Sequence, residues 1–256
     1  MEERNIVFAT TTLFSDCLEV QRNIIKNMFP NSQHILIDGR DTTKWPNSMF
    51  YWIDLVKETD AKYFILIDED CFLTDKEEVL KTISLLDKYD FIGCPDGYHP
   101  SRIENPIVIC PFLLFGKVDK LKNIQYNMSD IKYDLNYSHG DFNWKISEDI
   151  KYKHHFKDLF VYPHKIIGDY NFSHSKEPFY FLFWHLLDLG MKFGYLFPHF
   201  DKELKSTLPK INESSNEMAI HIWESRNMDK DDKLFGATTN ERFEKVLKYL
   251  NYEKTN

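Results

Sequence analysis

"YFILIDEDCFLTD", residues 63–75, decides the reading of this 256-residue chain. Five mostly apolar residues run straight into three consecutive carboxylates, Asp68, Glu69 and Asp70, and then back into an apolar pair. An unbroken apolar run of this kind suits a strand whose two faces are both covered by helices, as in a parallel sheet. Three like charges in a row repel one another and lose hydration near a core, so an ordered arrangement needs an offsetting partner, which a divalent cation supplies. In an open parallel α/β sheet, ligands gather outside the carboxyl ends of the strands, where Asp68 and Asp70 fall. With the backbone near extended, residues two apart point to one side, so Asp68 and Asp70 face one ligand and Glu69 turns away. Mg²⁺ or Mn²⁺ takes one or two carboxylates together with phosphate oxygens of a substrate, and this spacing suits it. The alternative is a solvated loop in which Asp70 or Thr74 caps the next helix and nothing binds.

Strand and helix signals alternate on both sides of this stretch. "NIVFATT" at 5–11 predicts a strand, and "SDCLEVQRNIIKNMF" a helix with Leu18, Ile24, Ile25 and Met28 near helical spacing, closed by Pro30. "HILIDG" predicts a second strand ending at Asp38, and residues 45–59 a second helix with Pro46 in its first turn. After the triplet, Thr74 and Glu77 read as a capping box, with Val79, Leu80, Ile83 and Leu86 as the stripe of a third helix before the strand "FIGC" at 91–94. Successive strand-helix units imply a parallel sheet with right-handed crossovers. Beyond residue 100, "PIVICPFLLFG" reads as a strand broken by its proline, 123–150 as loops, and "SKEPFYFLFWHLLDLG" as a helix between Pro178 and Gly190. Residues 198–217 read as a polar loop placed to act as a lid, "MAIHIWES" as a short strand, and "TTNERFEKVLKYL" as a final helix with Thr238 and Glu241 as its capping box.

Composition limits the partners. The formal net charge of -8, without a run of five basic residues, disfavours nucleic acid and anionic lipid surfaces. The most apolar segment, 179–197, is interrupted by His185, Asp188 and Lys192, which fits a buried or interfacial helix and leaves room only for peripheral membrane contact. Cys17, Cys71, Cys94 and Cys110 are scattered, and with no secretory leader evident they read as reduced thiols in the cytoplasm. A 43% hydrophobic content supports one large α/β domain.

A second site feature lies far along the chain. On a strand, Ala219, His221 and Trp223 share one face and Ile220 and Ile222 the other, so the imidazole leaves the core side beside an aromatic. Arg226 follows closely, and an imidazole for a borderline metal with a guanidinium for a diphosphate is what a metal-bound nucleotide needs opposite it.

With these residues in view, the sequence resembles the GT-A class of nucleotide-sugar glycosyltransferases. "LIDEDCFL" looks like the Asp-x-Asp motif of that class, and "AIHIWESR" like its carboxyl-terminal metal-binding histidine segment. The resemblance implies a GT-A-like, Rossmann-type mainly parallel sheet in a single domain, with residues 5–100 as the nucleotide-binding half and 101–256 as the acceptor half. It implies that Asp70 ligates Mn²⁺ or Mg²⁺ directly, that Asp68 reaches the ribose or a metal-bound water, and that His221 completes the ligands. Thr10, Thr11 and Thr12 would lie by the nucleoside and Asp38 near the base or ribose, although each also suits a turn. The implied reaction displaces a nucleoside diphosphate, with UDP as the expected leaving group, from a sugar anomeric carbon, with Arg226 and the metal stabilising the leaving charge. An inverting enzyme also needs a carboxylate to take the acceptor proton, for which Glu177, Asp169 and Asp149 are the candidates. Glu177 equally suits the helix dipole, and Trp184 and His185 suit either an acceptor pocket or the core. Two other readings stay open: a metal-dependent phosphohydrolase or nucleotidyltransferase, and a non-catalytic scaffold that keeps the fold.

Overall fold

The computed structural model describes residues 2–40, 48–95, 108–122, 124, 183, 186, 189–223, 233–234 and 236–252, with backbone alone at 48–50 and 233–234. Strand β1 (Ile6–Thr12), helix α1 (Asp16–Met28), β2 (Gln33–Asp38), α2 (Ser48–Lys57) and β3 (Tyr63–Ile67) follow the predicted order. The proposed first turn of α2, with Pro46, lies outside the described residues. Then come β4 (Cys71–Leu73), α3 (Lys76–Leu85), β5 (Phe91–Pro95), β6 (Ile109–Lys117) and α4 (Val118–Lys122). The chain continues through β7 (Phe193–Tyr195), β8 (Phe197–Asp201), β9 (Ser206–Lys210) and β10 (Ala219–His221), then a small hairpin, β11 (Lys233–Leu234) and β12 (Ala237–Thr238), and a final helix, Thr239–Tyr249.

The main sheet has the order β2-β1-β3-β6-β5-β7. Its strands all run one way except β6, which is antiparallel to both β3 and β5. This is the α/β, mainly parallel sheet flanked by helices that the sequence predicts, in a single domain. The expectation of an unbroken parallel succession fails at one place: β6 inserts between β3 and β5, so β5 does not neighbour β3. Strands β6 and β7 come from beyond residue 100, and the sheet and its core therefore draw on both halves of the chain. Ile6, Val7 and Phe8 of β1 and Phe64, Ile65 and Ile67 of β3 are all fully buried, as the apolar runs require for central strands. Each such side chain contributes about 1.5–3 kcal/mol by leaving water.

Three further expectations are corrected. Pro111 does not break its strand, because it lies where β5 and β6 slip register between Gly93 and Pro95 and no ladder position asks for its missing N–H. The cap of α3 is Asp75, whose carboxylate accepts from the N–H groups of Glu77 (2.8 Å) and Glu78 (3.2 Å). Thr74 instead donates its hydroxyl to the carbonyl of Glu217 at 2.5 Å, tying two distant segments. Residues 198–217 are not a lid loop: they form β8 and β9, antiparallel strands of a second sheet of order β4-β10-β9-β8. The polar letters misled because Ser206 and Thr207 are buried there, with Ser206 bonded to the carbonyl of Leu204 and Thr207 to the indole of Trp223.

The ends of the chain's helices are read more directly. Thr238 and Glu241 form the reciprocal capping box of the final helix. Gly190 takes φ +77°, and the N–H of Met191 reaches back to the carbonyl of Leu186 at 3.1 Å, the geometry of a helix that stops on glycine. Pro178, Trp184 and His185 of the predicted aromatic helix lie outside the described residues, as does 125–150. Among the described residues no helix is long and apolar enough to cross a membrane.

Close packing of β5 on β6 depends on Gly93, where an added Cβ would sit 2.8 Å from the carbonyl oxygen of Leu113 and against the Ile109 side chain. Backbone cannot move aside as a side chain tip can. Gly93→Ala should therefore lower unfolding stability by about 1–3 kcal/mol, seen as a lower urea midpoint with an unchanged slope.

Candidate functional site

The acidic triplet is the crossing point between the two sheets. β3 ends at Ile67 in the main sheet, and β4 begins at Cys71 in the second. The link is a turn, closed by the N–H of Cys71 on the carbonyl of Asp68 at 3.0 Å, and not the extended backbone expected from the sequence. The N–H of Asp68 still donates to the carbonyl of Phe112 in β6 at 2.9 Å, so the turn starts from a fixed position.

Strand β10 lies antiparallel to β4, with His221 opposite Cys71. One residue further, the N–H of Ile222 donates to the carbonyl of Asp70 at 3.1 Å. This pairing carries His221 across 151 positions of sequence to Asp70, Nε2 lying 3.1 Å from Oδ1. Donor atoms of Asp68, Asp70 and His221 all lie within 4.8 Å of one another. Two ligands at right angles, each about 2.1 Å from an octahedral ion, stand about 3 Å apart, so the Asp70–His221 distance fits a shared cation. Two carboxylates and an imidazole make a hard-to-borderline donor set, suited to Mg²⁺ or Mn²⁺. Burial first, and the Asp70 carboxylate second, push the neighbouring thiols of Cys17 and Cys71 upward.

His221 is held by packing. Its ring stacks on Phe112 (centroids 4.2 Å, planes 7° apart) and tilts against Trp223 at 4.2 Å. The sequence places the imidazole on the side away from the core, but it is only 3% exposed, because both faces of β10 are covered: Ala219 and Trp223 join the main core and Ile220 and Ile222 a second one. Nδ1 is buried without a hydrogen-bond partner. A hydrogen bond from Nε2 to the Asp70 carboxylate needs the ring proton on Nε2, whereas a cation at Nε2 requires it on Nδ1.

Glu69 does turn away from the pair, 4% exposed, and becomes an anchor. Its Oε2 accepts from the hydroxyl of Thr12 at 2.5 Å and from the N–H groups of Leu13 (3.2 Å) and Ser15 (3.4 Å). These bonds fasten the loop after β1 to the acidic turn and supply the donors that a buried carboxylate needs. Thr12 is thus buried beneath the loop. Thr10 is also fully buried, between Gln21 and His34, while Thr11 is half-buried at the end of β1. Asp38 lies opposite Thr12 at the end of β2 and holds the guanidinium of Arg40 with both oxygens, each at 3.1 Å. Arg226, Glu177, Asp169 and Asp149 lie outside the described residues.

Several participants carry no signal in the sequence. Phe14, 49% exposed, stands on a backbone at φ +61°, with Arg40 over its ring at 4.1 Å. Trp223 has φ +62°, so the segments on both sides of the acidic turn each hold a non-glycine residue in a left-handed conformation that costs about 1–3 kcal/mol. Phe112 reads as one more core aromatic. Gln21, in mid-helix, reads as a surface residue, yet it is fully buried beneath the acidic turn.

No protein-family model matches the chain, and no curated protein does. Among solved structures, a glycosyltransferase involved in the glycosylation of the major capsid of PBCV-1 is similar over 46% of this chain and 62% of its own, at TM-score 0.34 and 11% identity. A197 from STIV is similar over 47% of this chain and 68% of its own, at TM-score 0.31 and 14% identity. The chain thus spans less than two thirds of the first of these proteins. Likeness at this level leaves the chemistry to be read from the site's own residues.

His34 gives the site's surroundings a pH dependence. Burial, helped by the nearby Arg22, lowers its pKa to about 4, whereas in the unfolded chain it titrates near 6.5. The unfolded state therefore binds the proton first as pH falls. Stability is intact above about pH 6.5 and declines between 6.5 and 4, by at most about 1.4 kcal/mol per pH unit. Chemical unfolding at stepped pH should show this decline in the wild type and lose it over that window in His34→Asn.

Proposed function

We propose that the chain is a divalent-metal-dependent glycosyltransferase of the GT-A kind, moving a hexosyl group from a nucleotide-sugar, with UDP as the nucleotide, to a saccharide or lipid-linked acceptor. The observation that carries this reading is the meeting of Asp68, Asp70 and His221 at the carboxyl end of β3, the edge where an open α/β sheet takes its ligands. A bound Mn²⁺ or Mg²⁺ would supply Lewis-acid stabilisation for the charge growing on a diphosphate leaving group.

The chain's own residues divide the remaining work. Asp70 and His221, buried and fixed by β4, β10 and the Phe112 stack, would hold the cation. Asp68, half-buried at the start of the turn, would serve the ribose or the cation's hydration. The rim formed by Thr11, Leu13, Phe14 and Asp38 receives the nucleoside, with Leu13 and Phe14 offering exposed apolar surface. Arg226 meets the diphosphate, and Glu177 or Asp169 takes the acceptor proton if the reaction inverts. The buried thiols of Cys17, Cys71, Cys94 and Cys110, with no disulfide among them, accord with the reducing cytoplasm as the place of action.

Calorimetric titration with UDP and with GDP, each with Mn²⁺ and with chelator, tests the reading on wild type and Asp70→Asn. UDP should bind only with metal, and the asparagine variant should lose at least about tenfold in that affinity while remaining folded. Folded wild-type protein that takes neither nucleotide with metal would sink the transferase reading and favour a scaffold. Binding together with release of inorganic phosphate would favour a phosphohydrolase.

A further inference from the structure

We infer that Gln21 is a positioning residue for the metal site, a clamp that holds the turn bearing Asp68 and Asp70 in ligating geometry from beneath; this deepens the proposed function and rests on it. Gln21 lies in the second turn of α1 and is fully buried. Its side-chain amide faces three separate segments. Nε2 donates to the carbonyl of Asp68 and, at 3.3 Å, to the carbonyl of Cys71. Oε1 accepts the hydroxyl of Thr10, in β1, at 3.2 Å. The amide orientation follows from its partners, since only the NH₂ end can face two carbonyls.

The two carbonyls bracket Asp70. Asp68 carries the first, which also closes the turn through the Cys71 N–H, and Cys71 carries the second, immediately after the ligand. One side chain therefore holds both ends of the ligating turn and joins them to the central strand β1. Asp70 is held on its other side by the N–H of Ile222. The turn is gripped from α1 and from β10, and neither grip uses a carboxylate oxygen that a cation needs.

The clamp is itself oriented. Because the Thr10 hydroxyl donates to Gln21, its contact with His34 Nε2 at 2.9 Å has the imidazole as donor, which suits a ring kept neutral by burial. The hydrogen bonds thus run one way, from His34 through Thr10 and Gln21 to the acidic turn. Its outer end, His34, lines a groove of about 610 Å³ between α1 and β2. A buried amide whose donors and acceptor are all used costs little to bury, while its removal takes one donor from each of two carbonyls and the acceptor from the Thr10 hydroxyl. Partners behind the ligands of a metal site commonly set its affinity, and their loss costs about 10–100-fold.

Gln21→Leu keeps the volume and removes the clamp, and Thr82→Val serves as a control that loses buried hydroxyl contacts, to the carbonyl of Glu78 at 2.9 Å and the sulfur of Met218 at 3.6 Å, neither of them on the turn. Two quantities are read: Mn²⁺ affinity from the spin-resonance signal of free ion, and hydrogen exchange of the Cys71 and Ile222 amides without metal. Gln21→Leu should weaken Mn²⁺ binding about tenfold or more and speed exchange at both amides, with neither change in Thr82→Val. Should Gln21→Leu fail to fold, Thr10→Val, which removes the donor to Oε1, should shift both readouts in the same direction. Exchange no faster than in the control, or faster exchange with wild-type Mn²⁺ affinity, would overturn the inference. Wild-type protein that binds no Mn²⁺ would overturn the metal reading and the inference with it, an outcome visible without any variant.

Discussion

The structure depends on one crossing of the chain. At residues 68–70 the backbone leaves the central strand of the main sheet and enters the second sheet within a single turn. Every donor of the candidate metal site is set by that crossing. Asp68 is fixed by β6 through its N–H, Asp70 by β10 through its carbonyl, and His221 by its register opposite Cys71. A one-residue slip of β10 on β4 would turn His221 to the opposite face and replace it with an isoleucine, so the apolar packing of Ile220 and Ile222 also enforces the position of the imidazole.

Burying acids at a crossing is costly, and the protein meets that cost separately for each. Glu69 is surrounded by a hydroxyl and two backbone donors, which also rivet the loop after β1 in place. Asp70 has His221 at hydrogen-bond distance. Asp68 stays half-buried and nearest to water. The triplet is thus three different groups: an anchor, a buried ligand and a partly open one. The strained residues fit the same picture, since Phe14 and Trp223 sit in left-handed backbone on the two segments that close over the turn. Packing holds Trp223 there through its indole bond to Thr207 and its contact with His221.

The rigidity of the site comes from apolar and neutral contacts. Phe112 and Trp223 confine the imidazole, aromatic contacts worth about 0.5–1.5 kcal/mol each beyond area burial, and the Gln21 amide confines the backbone. None of these contacts spends the lone pairs that a cation would take. A site held by charge would relax when its charge changed, whereas one held by stacked rings and amide bonds keeps its shape.

The sequence by itself determined the elements whose signals are local. The unbroken run of β3, the stripes of α1 and α3, the capping box before the final helix and the glycine stop at residue 190 are all dictated by neighbours within a few positions, through periodicity, capping or φ. It also marked Asp68, Asp70 and His221 as separate candidates, because acids after a central strand and a histidine on a short strand are legible one segment at a time. What the tertiary structure alone decided depends on contacts over long separations: the antiparallel entry of β6, the place of β8 and β9 in the second sheet, the diversion of Thr74 from the α3 cap to the carbonyl of Glu217, and the roles of Glu69 and Gln21. Glu69, Gln21 and Thr207 are residue types compatible with solvent, and only their burial in the folded chain removes the water and makes a fixed hydrogen-bond partner the lower-energy choice.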